Sequence, residues 1–318
     1  MISRHGTRKV SSHRGKPGGS LWKADCVLKY RIFSGCLIGA ATLLIANYLP
    51  PLGDWILLLA LSCLGQLEFY ELLHKSGIPN FWVIGLISGV ALISATFFAL
   101  GPEAGSVANA YRWENIVLLV SVMAVFIRQF PQKYNTTPIQ TIACTLFGIL
   151  YVPFMLNFIT RLAFTWNVVT SRVVVDECGR LLILYLIIVV KCTDIGAYTV
   201  GRLFGRHKLC PRISPGKTIE GFFGGIAFAL AASLLFCHFT GYQFGCELTL
   251  RLRDAIILGV LLAVAGTVGD LFESLMKRAA NTKDSSTVIP GMGGVLDVID
   301  SLLFGAPVLY AYMKVILQ

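Results

Sequence analysis

The sequence predicts an all-α integral membrane protein, a polytopic bundle of about nine transmembrane helices whose site lies at the cytoplasmic end of the C-terminal half. Three observations carry this. Of 318 residues, 55% are hydrophobic and only 14% charged, whereas a soluble domain carries about 25% charged residues. Apolar runs close to the ~20 residues of a spanning helix recur along the chain. The basic residues also segregate between alternate connections.

The runs fall near 33–48, 54–72, 81–100, 115–127, 139–159, 181–200, 221–240, 254–272 and 301–317. The fourth is short enough to be re-entrant, which leaves eight or ten helices open. With nine spans and a cytoplasmic N-terminus, nineteen Lys and Arg fall on the cytoplasmic side. Six, among them Arg112, Arg161 and Arg180, are assigned to the opposite loops. Such a bias sets orientation through the positive-inside rule.

Residues 1–31 are polar and basic and read as a cytoplasmic tail drawn to anionic head groups. A cleaved signal peptide fits less well, since no small-residue cleavage site follows the first apolar run. Residues 32–318 read as a single membrane domain, with N-terminal helices over 32–180 and catalytic helices and loops over 181–318. The net charge of +10 would suggest nucleic acid in a soluble protein. Here the asymmetry of the loops accounts for it, and no nucleic-acid partner is expected. Nine scattered cysteines without a C-x-x-C pair exclude a zinc cluster or a disulfide framework.

Two segments, 191–225 and 269–300, hold most of the polar residues that a spanning helix avoids. An Asp or Lys at the bilayer centre costs about 2.5–3.5 kcal/mol even on a lenient scale, so it needs a partner, a wet cavity or the interface. Asp270, Ser274 and Lys277 share one helical face by spacing, as do Asp297 and Asp300. Carboxylates brought together need a cation between them, and oxygen ligands suit Mg²⁺. Interfacial Asp residues paired with Lys277 or Arg278 fit the spacing equally. Arg202, Arg206, Lys208, Arg212 and Lys217 crowd one connection, either as anion ligands or as orientation signals. Gly216, Gly221, Gly224 and Gly225 would let backbone approach a phosphate. Neither a Walker A loop nor a G-x-G-x-x-G turn after a strand is present. Lys191, Asp194 and Tyr198 lie on one face, as an intramembrane pair or as the lining of a polar cavity. Glu68 and Glu71 either join that cavity or reach the interface.

These two segments together resemble the signature of the phosphatidate cytidylyltransferase family. Its D-x-x-A-Y-x-x-G-R-x-x-G element is matched by Asp194, Ala197, Tyr198, Gly201, Arg202 and Gly205. Its S-P-x-K-T-x-E-G element is matched by Ser214, Pro215, Lys217, Thr218, Glu220 and Gly221. The closing signature is matched by Ser274, Lys277, Arg278, Lys283, Asp284, Pro290, Gly293, Gly294, Asp297 and Asp300. Met292 stands where the family has His, and Val298 where it has Arg.

The resemblance implies transfer of CMP from CTP to phosphatidate, giving CDP-diacylglycerol and pyrophosphate. It implies Mg²⁺, with a second cation allowed, on Asp270, Asp297 and Asp300. Lys217, Asp270, Asp297, Lys277 and Arg278 are the expected catalytic residues. Asp194, Tyr198, Arg202, Ser214, Thr218, Glu220, Ser274, Lys283, Asp284, Gly293 and Gly294 are expected to bind substrate. CTP, phosphatidate and membrane lipid are the expected partners, with a homodimer allowed, in a bacterial inner membrane with the site facing the cytoplasm. One alternative is a CTP-dependent polyprenol or phytol kinase, which would release CDP, and a cytidylyltransferase acting on an ether-linked or archaeal-type lipid is closer still. A transporter would carry paired inverted repeats, whereas the charged motifs occupy the second half alone.

Overall fold

The structure is a computed structural model that describes residues 51–100, 106–133, 135–166, 168–170, 173–175, 177–243, 249–282 and 293–316. The tail over 1–31 and the first expected span, 33–48, lie outside the described residues. Eight helices among the described residues are long and apolar enough to cross a membrane, and they match the other eight runs.

The first is α1, Pro51–Lys75, followed by α2, Trp82–Leu100. The fourth run, short by hydropathy, proves to be a full helix α3 of 23 residues, Val107–Gln129. Ser106 caps it by accepting a hydrogen bond from Asn109 N at 3.4 Å. The helix therefore takes in Arg112 and Glu114, whose charges had shortened the apolar run.

The next span, Pro138–Phe164, is assembled from α4 (Pro138–Ile149), a π-helical turn (Leu150–Phe154) and α5 (Met155–Phe164). Pro153 lies inside the π turn. Proline offers no N–H and its ring clashes with the preceding turn, so an α-helix breaks or widens there. Widening keeps the chain helical, as a lipid surrounding demands.

A two-stranded antiparallel pair, β1 (Val168–Thr170) and β2 (Val173–Val175), leads into α6, Glu177–Phe204. Sequence reading left 201–220 as a cationic loop. Part of it is an antiparallel hairpin of β3 (Lys208–Cys210) and β4 (Ser214–Thr218), with Lys208 opposite Thr218. The hairpin feeds α7, Ile219–Phe239, which returns along α6. The last two helices are α8, Leu252–Ala279, and α9, Leu296–Ile316.

Lipid tails give no hydrophobic drive between helices, so close packing of small residues must hold them. A Cβ on Gly221 would come within 2.7 Å of the Ala197 carbonyl, and one on Gly196 within 2.6 Å of the Phe228 Cβ. Gly224 and Gly225 likewise face α6. These glycines, read from sequence as phosphate-approach positions, thus serve the α6–α7 contact. One buried cluster joins Tyr185, Leu186, Leu258, Leu262, Leu309 and Met313 across α6, α8 and α9. A second joins Phe69, Tyr151, Leu156, Leu296 and Leu303 across α1, the π turn, α5 and α9.

Arg161, expected in a loop, lies buried inside α5 and is paired with Glu114 of α3. Glu114 Oε1 also accepts from Thr96 at 2.6 Å, Asn157 at 3.0 Å and Arg161 Nε at 3.0 Å. The guanidinium lies 4.6, 4.9 and 5.5 Å from the Tyr111, Phe158 and Tyr310 rings. Tyr310 follows Asp300 by ten residues on α9, roughly 15 Å along a helix. The cluster therefore belongs to the opposite end of the bundle from the acidic residues.

Truncating one partner of a buried ion pair strands the other charge, at about 3–5 kcal/mol. Glu114→Ala should lower the unfolding midpoint in detergent strongly, while the paired change Glu114→Leu with Arg161→Met should lower it less. Equal midpoints for Glu114→Ala and the parent protein would show that the pair does not hold α3 to α5.

Candidate active site

The acidic residues sit where α8 and α9 cross. Asp270 and Glu273 lie in the last third of α8, and Asp297 and Asp300 in the first turns of α9. Asp270 was expected near the end of its span and Asp297 and Asp300 just ahead of theirs; α8 instead continues past Asp270 to Ala279, and α9 begins at Leu296 and takes in both later aspartates. The crossing is tight because position 269 is glycine: any Cβ there would strike the Asp300 carbonyl and lie 3.2 Å from Phe304. This brings the Asp270 and Asp300 carboxyl groups next to each other.

Three lysines, one from each neighbouring element, answer this charge. Lys217 of β4 reaches Asp270 Oδ2 at 3.0 Å. Lys277 of α8 donates to Glu273 Oε2 and Asp297 Oδ1, each at 2.7 Å. Lys191 of α6 reaches Asp194 Oδ2 at 3.5 Å and the Val298 carbonyl at 3.4 Å. Val298 thus contributes its backbone oxygen where the family pattern has an arginine. Ser301 donates to Asp270 Oδ1 at 2.8 Å and to Asp300 Oδ1 at 3.0 Å, and its own N–H meets Asp300 Oδ1 at 2.5 Å. Asp300 is 4% exposed and, among the described residues, has no cation at ion-pair distance.

The start of α9 is held in a particular way. Gly293 has φ +96°, a conformation that disfavours a side chain, and Gly294 N donates to Asp297 Oδ2 at 2.7 Å. Glu68, buried in α1, accepts from Val295 N at 2.9 Å and Leu296 N at 2.8 Å. Two carboxylates therefore meet the orphan N–H groups and positive dipole end of α9. Glu71, its companion in sequence, instead makes a surface pair with Lys75 at 2.8 Å.

Several expected substrate residues have structural partners. Thr218 is the N-cap of α7, accepting from Gly221 N at 3.1 Å. Glu220 accepts from Arg206 N and His207 N, both at 3.1 Å, and meets His207 Nδ1 at 2.6 Å, so it ties the end of α6 to the start of α7. Arg278 donates to the Ile213 carbonyl at 3.3 Å, fastening α8 to the hairpin. Arg202 donates to the Tyr198 hydroxyl at 3.1 Å, and both side chains are exposed. Ser214 begins β4, and Ser274 is half-buried on α8 beside Glu273. Lys283, Asp284, Pro290 and Met292 lie outside the described residues.

Sequence reading missed Glu273 as a site residue, although an acidic residue three positions after Asp270 shares its helical face. It also left Glu68 undecided, because a contact between residues 227 positions apart has no local trace. Ser301 and Tyr151 were not singled out.

The donor set is suited to a divalent cation shared with a ligand. Among the described residues no three His, Cys, Asp or Glu side chains converge closely enough to hold a metal by themselves. Mg²⁺ commonly takes only one or two carboxylates and completes its shell with water and phosphate oxygens. Asp270 and Asp300 supply such a pair. Asp194, Asp270, Glu273, Asp297 and Asp300, if ionised, exceed Lys191, Lys217 and Lys277 by two formal charges, the charge of one such ion.

Glu68→Gln keeps the shape but gives up charge-assisted bonds, which carry about 1.5–3 kcal/mol each. Amide hydrogen exchange at Val295 and Leu296 should accelerate roughly tenfold or more, with exchange in α6 and α7 unchanged. Unchanged protection at those two amides would refute the capping role.

Comparison with known proteins places the chain. The sequence profile described as the Cytidylyltransferase family matches residues 29–316. The chain is 34% identical over 269 residues to a protein of Staphylococcus epidermidis named phosphatidate cytidylyltransferase, covering 82% of this chain and 92% of that one. Proteins of the same name from Staphylococcus saprophyticus and Staphylococcus aureus are 32% and 34% identical over the same shares. The profile match spans α1, whose Glu68 caps α9, and the crossing that holds the carboxylates, and the chain belongs to the cytidylyltransferase family.

Proposed function

We propose that this protein transfers CMP from CTP to phosphatidate, forming CDP-diacylglycerol and releasing pyrophosphate. The observation that carries the reading is the α8–α9 crossing, where paired carboxylates face lysines with donors to spare at the end of a membrane bundle. Relatives bearing the name phosphatidate cytidylyltransferase support the substrate pair.

In this reaction a phosphate oxygen of phosphatidate attacks the α-phosphorus of CTP, and the bond to the β-phosphate breaks with pyrophosphate leaving. The nucleophile is already anionic, so no side chain has to remove a proton from it. What remains is alignment and neutralisation of charge. Lys217 carries one carboxylate on its ammonium and has two donors left for phosphate oxygens. Lys277, holding two carboxylates, has one. Arg278, which the family signature pairs with Lys277, would add positive charge for the departing pyrophosphate. Asp270 and Asp300 would hold Mg²⁺, which as a Lewis acid would stabilise charge on the transferring and departing phosphates.

The loop asymmetry supports an orientation with the site on the cytoplasmic side of a bacterial inner membrane. There CTP arrives from water while the acyl chains of phosphatidate stay in lipid.

Purified protein in detergent should release pyrophosphate from CTP only when phosphatidate is present. The rate should vanish with a chelator and return with Mg²⁺. Asp270→Asn should slow it roughly 100-fold or more, the scale of losing one charge-stabilising group, while the helical far-ultraviolet signal is retained. CDP as the product would overturn cytidylyl transfer in favour of γ-phosphoryl transfer, and chelator-resistant release would overturn the metal.

A further inference from the structure

Two buried polar atoms beside the carboxylates accept no hydrogen bond from the described residues: Tyr151 Oη, and Glu273 Oε1, whose carboxyl lies against that of Asp297. Both residues are 3% exposed. Buried polar groups are nearly always satisfied, so such atoms call for a ligand or water. Most other unpartnered buried polar atoms, such as Asn157 Oδ1, Thr160 Oγ1 and Trp166 Nε1, belong to other parts of the bundle.

The phenol is held firmly. Tyr151 sits in the π turn, where such widenings often mark functional positions. Its ring stacks on Phe147 at 5.6 Å and 7°, and lies 5.1 Å from Phe272 and 6.5 Å from Phe304. Phe272 adjoins Glu273 on α8, and Phe304 lies one turn beyond Asp300 on α9. The ring is thus wedged beneath the α8–α9 crossing, and its hydroxyl lies in the field of Asp300, Glu273, Asp270 and Asp297. A purely space-filling role would be met by phenylalanine, as it is at the four neighbouring ring positions 69, 147, 272 and 304.

Water bound to a divalent cation turns its lone pair to the ion and has two protons to donate. We propose that Tyr151 Oη and Glu273 Oε1 are the paired acceptors for a water on the cation held at Asp270 and Asp300. Tyr151 is then a positioning residue, acting on the reaction through the cation's shell and not by touching substrate. The inference rests on the metal-dependent reading of the preceding subsection and adds to it a residue from the first half of the chain.

The test is Tyr151→Phe in the full-length protein, with free Mn²⁺ followed by electron paramagnetic resonance and unfolding followed with and without Mn²⁺. Tyr70→Phe serves as the control, since the Tyr70 hydroxyl has a protein partner, the Thr145 carbonyl at 2.9 Å. Tyr151→Phe should unfold at or above the wild-type temperature without metal yet bind Mn²⁺ about tenfold more weakly, the scale of losing an outer-shell partner. Half-maximal rate should then need about tenfold more Mg²⁺. Tyr70→Phe should lower the unfolding temperature and leave Mn²⁺ affinity unchanged. Mn²⁺ affinity within twofold of wild type in Tyr151→Phe would overturn the inference alone. A wild-type protein that binds no Mn²⁺ would overturn the cation reading on which it rests.

Discussion

The constraint on which the structure turns is the burial of carboxylates at a helix crossing inside a membrane protein. Asp300 and Glu273 are almost fully enclosed, and Asp270 adjoins Asp300. An isolated charge in such surroundings is prohibitively costly, so every neighbouring element must deliver compensation. β4 brings Lys217, α6 brings Lys191, and α8 supplies Lys277 from one turn along. Seen this way, the β3–β4 hairpin is the arm that carries Lys217 to α8. Glu220, Thr218 and Arg278, which fasten that arm to its surroundings, follow from the same need.

The first half of the chain, within the family match but outside the two motif segments, takes part through buried contacts. Glu68 neutralises the dipole of α9 exactly where Asp297 begins its first turn, and so fixes the register of the acidic pair. The π turn forced by Pro153 sets Tyr151 under the crossing. At the other end of the bundle, Glu114 and Arg161 join α3 to α5 within a ring of aromatic side chains. Polar contacts thus tie α1 to α9 at one end of the bundle and α3 to α5 at the other.

Much of this was legible in the sequence. Eight spans appear where apolar runs had placed them, since a bilayer imposes length and composition on each helix independently of its neighbours. Lys217, Asp270, Lys277, Asp297 and Asp300 could be singled out together because motif spacing keeps them within two short segments, and the fold brings them to one crossing. Roles that depend on long-range approach were not legible. Gly221, Gly224 and Gly225 looked like phosphate-binding glycines, but their want of a side chain serves α6. Arg161 looked like a loop cation because its partner, Glu114, is 47 residues away. The hairpin within 201–220 escaped notice because its strands are three and five residues long, too short for an alternating pattern.

The central claim is that the lysine-bound carboxylates at the α8–α9 crossing receive the phosphates of the nucleotide together with a divalent cation. A structure determined with a non-reactive CTP analogue, Mg²⁺ and lipid tests it most directly. The account predicts the cation between Asp270 and Asp300, with phosphate oxygens on Lys217 and Lys277. Nucleotide bound elsewhere, with no cation at the two aspartates, would contradict it.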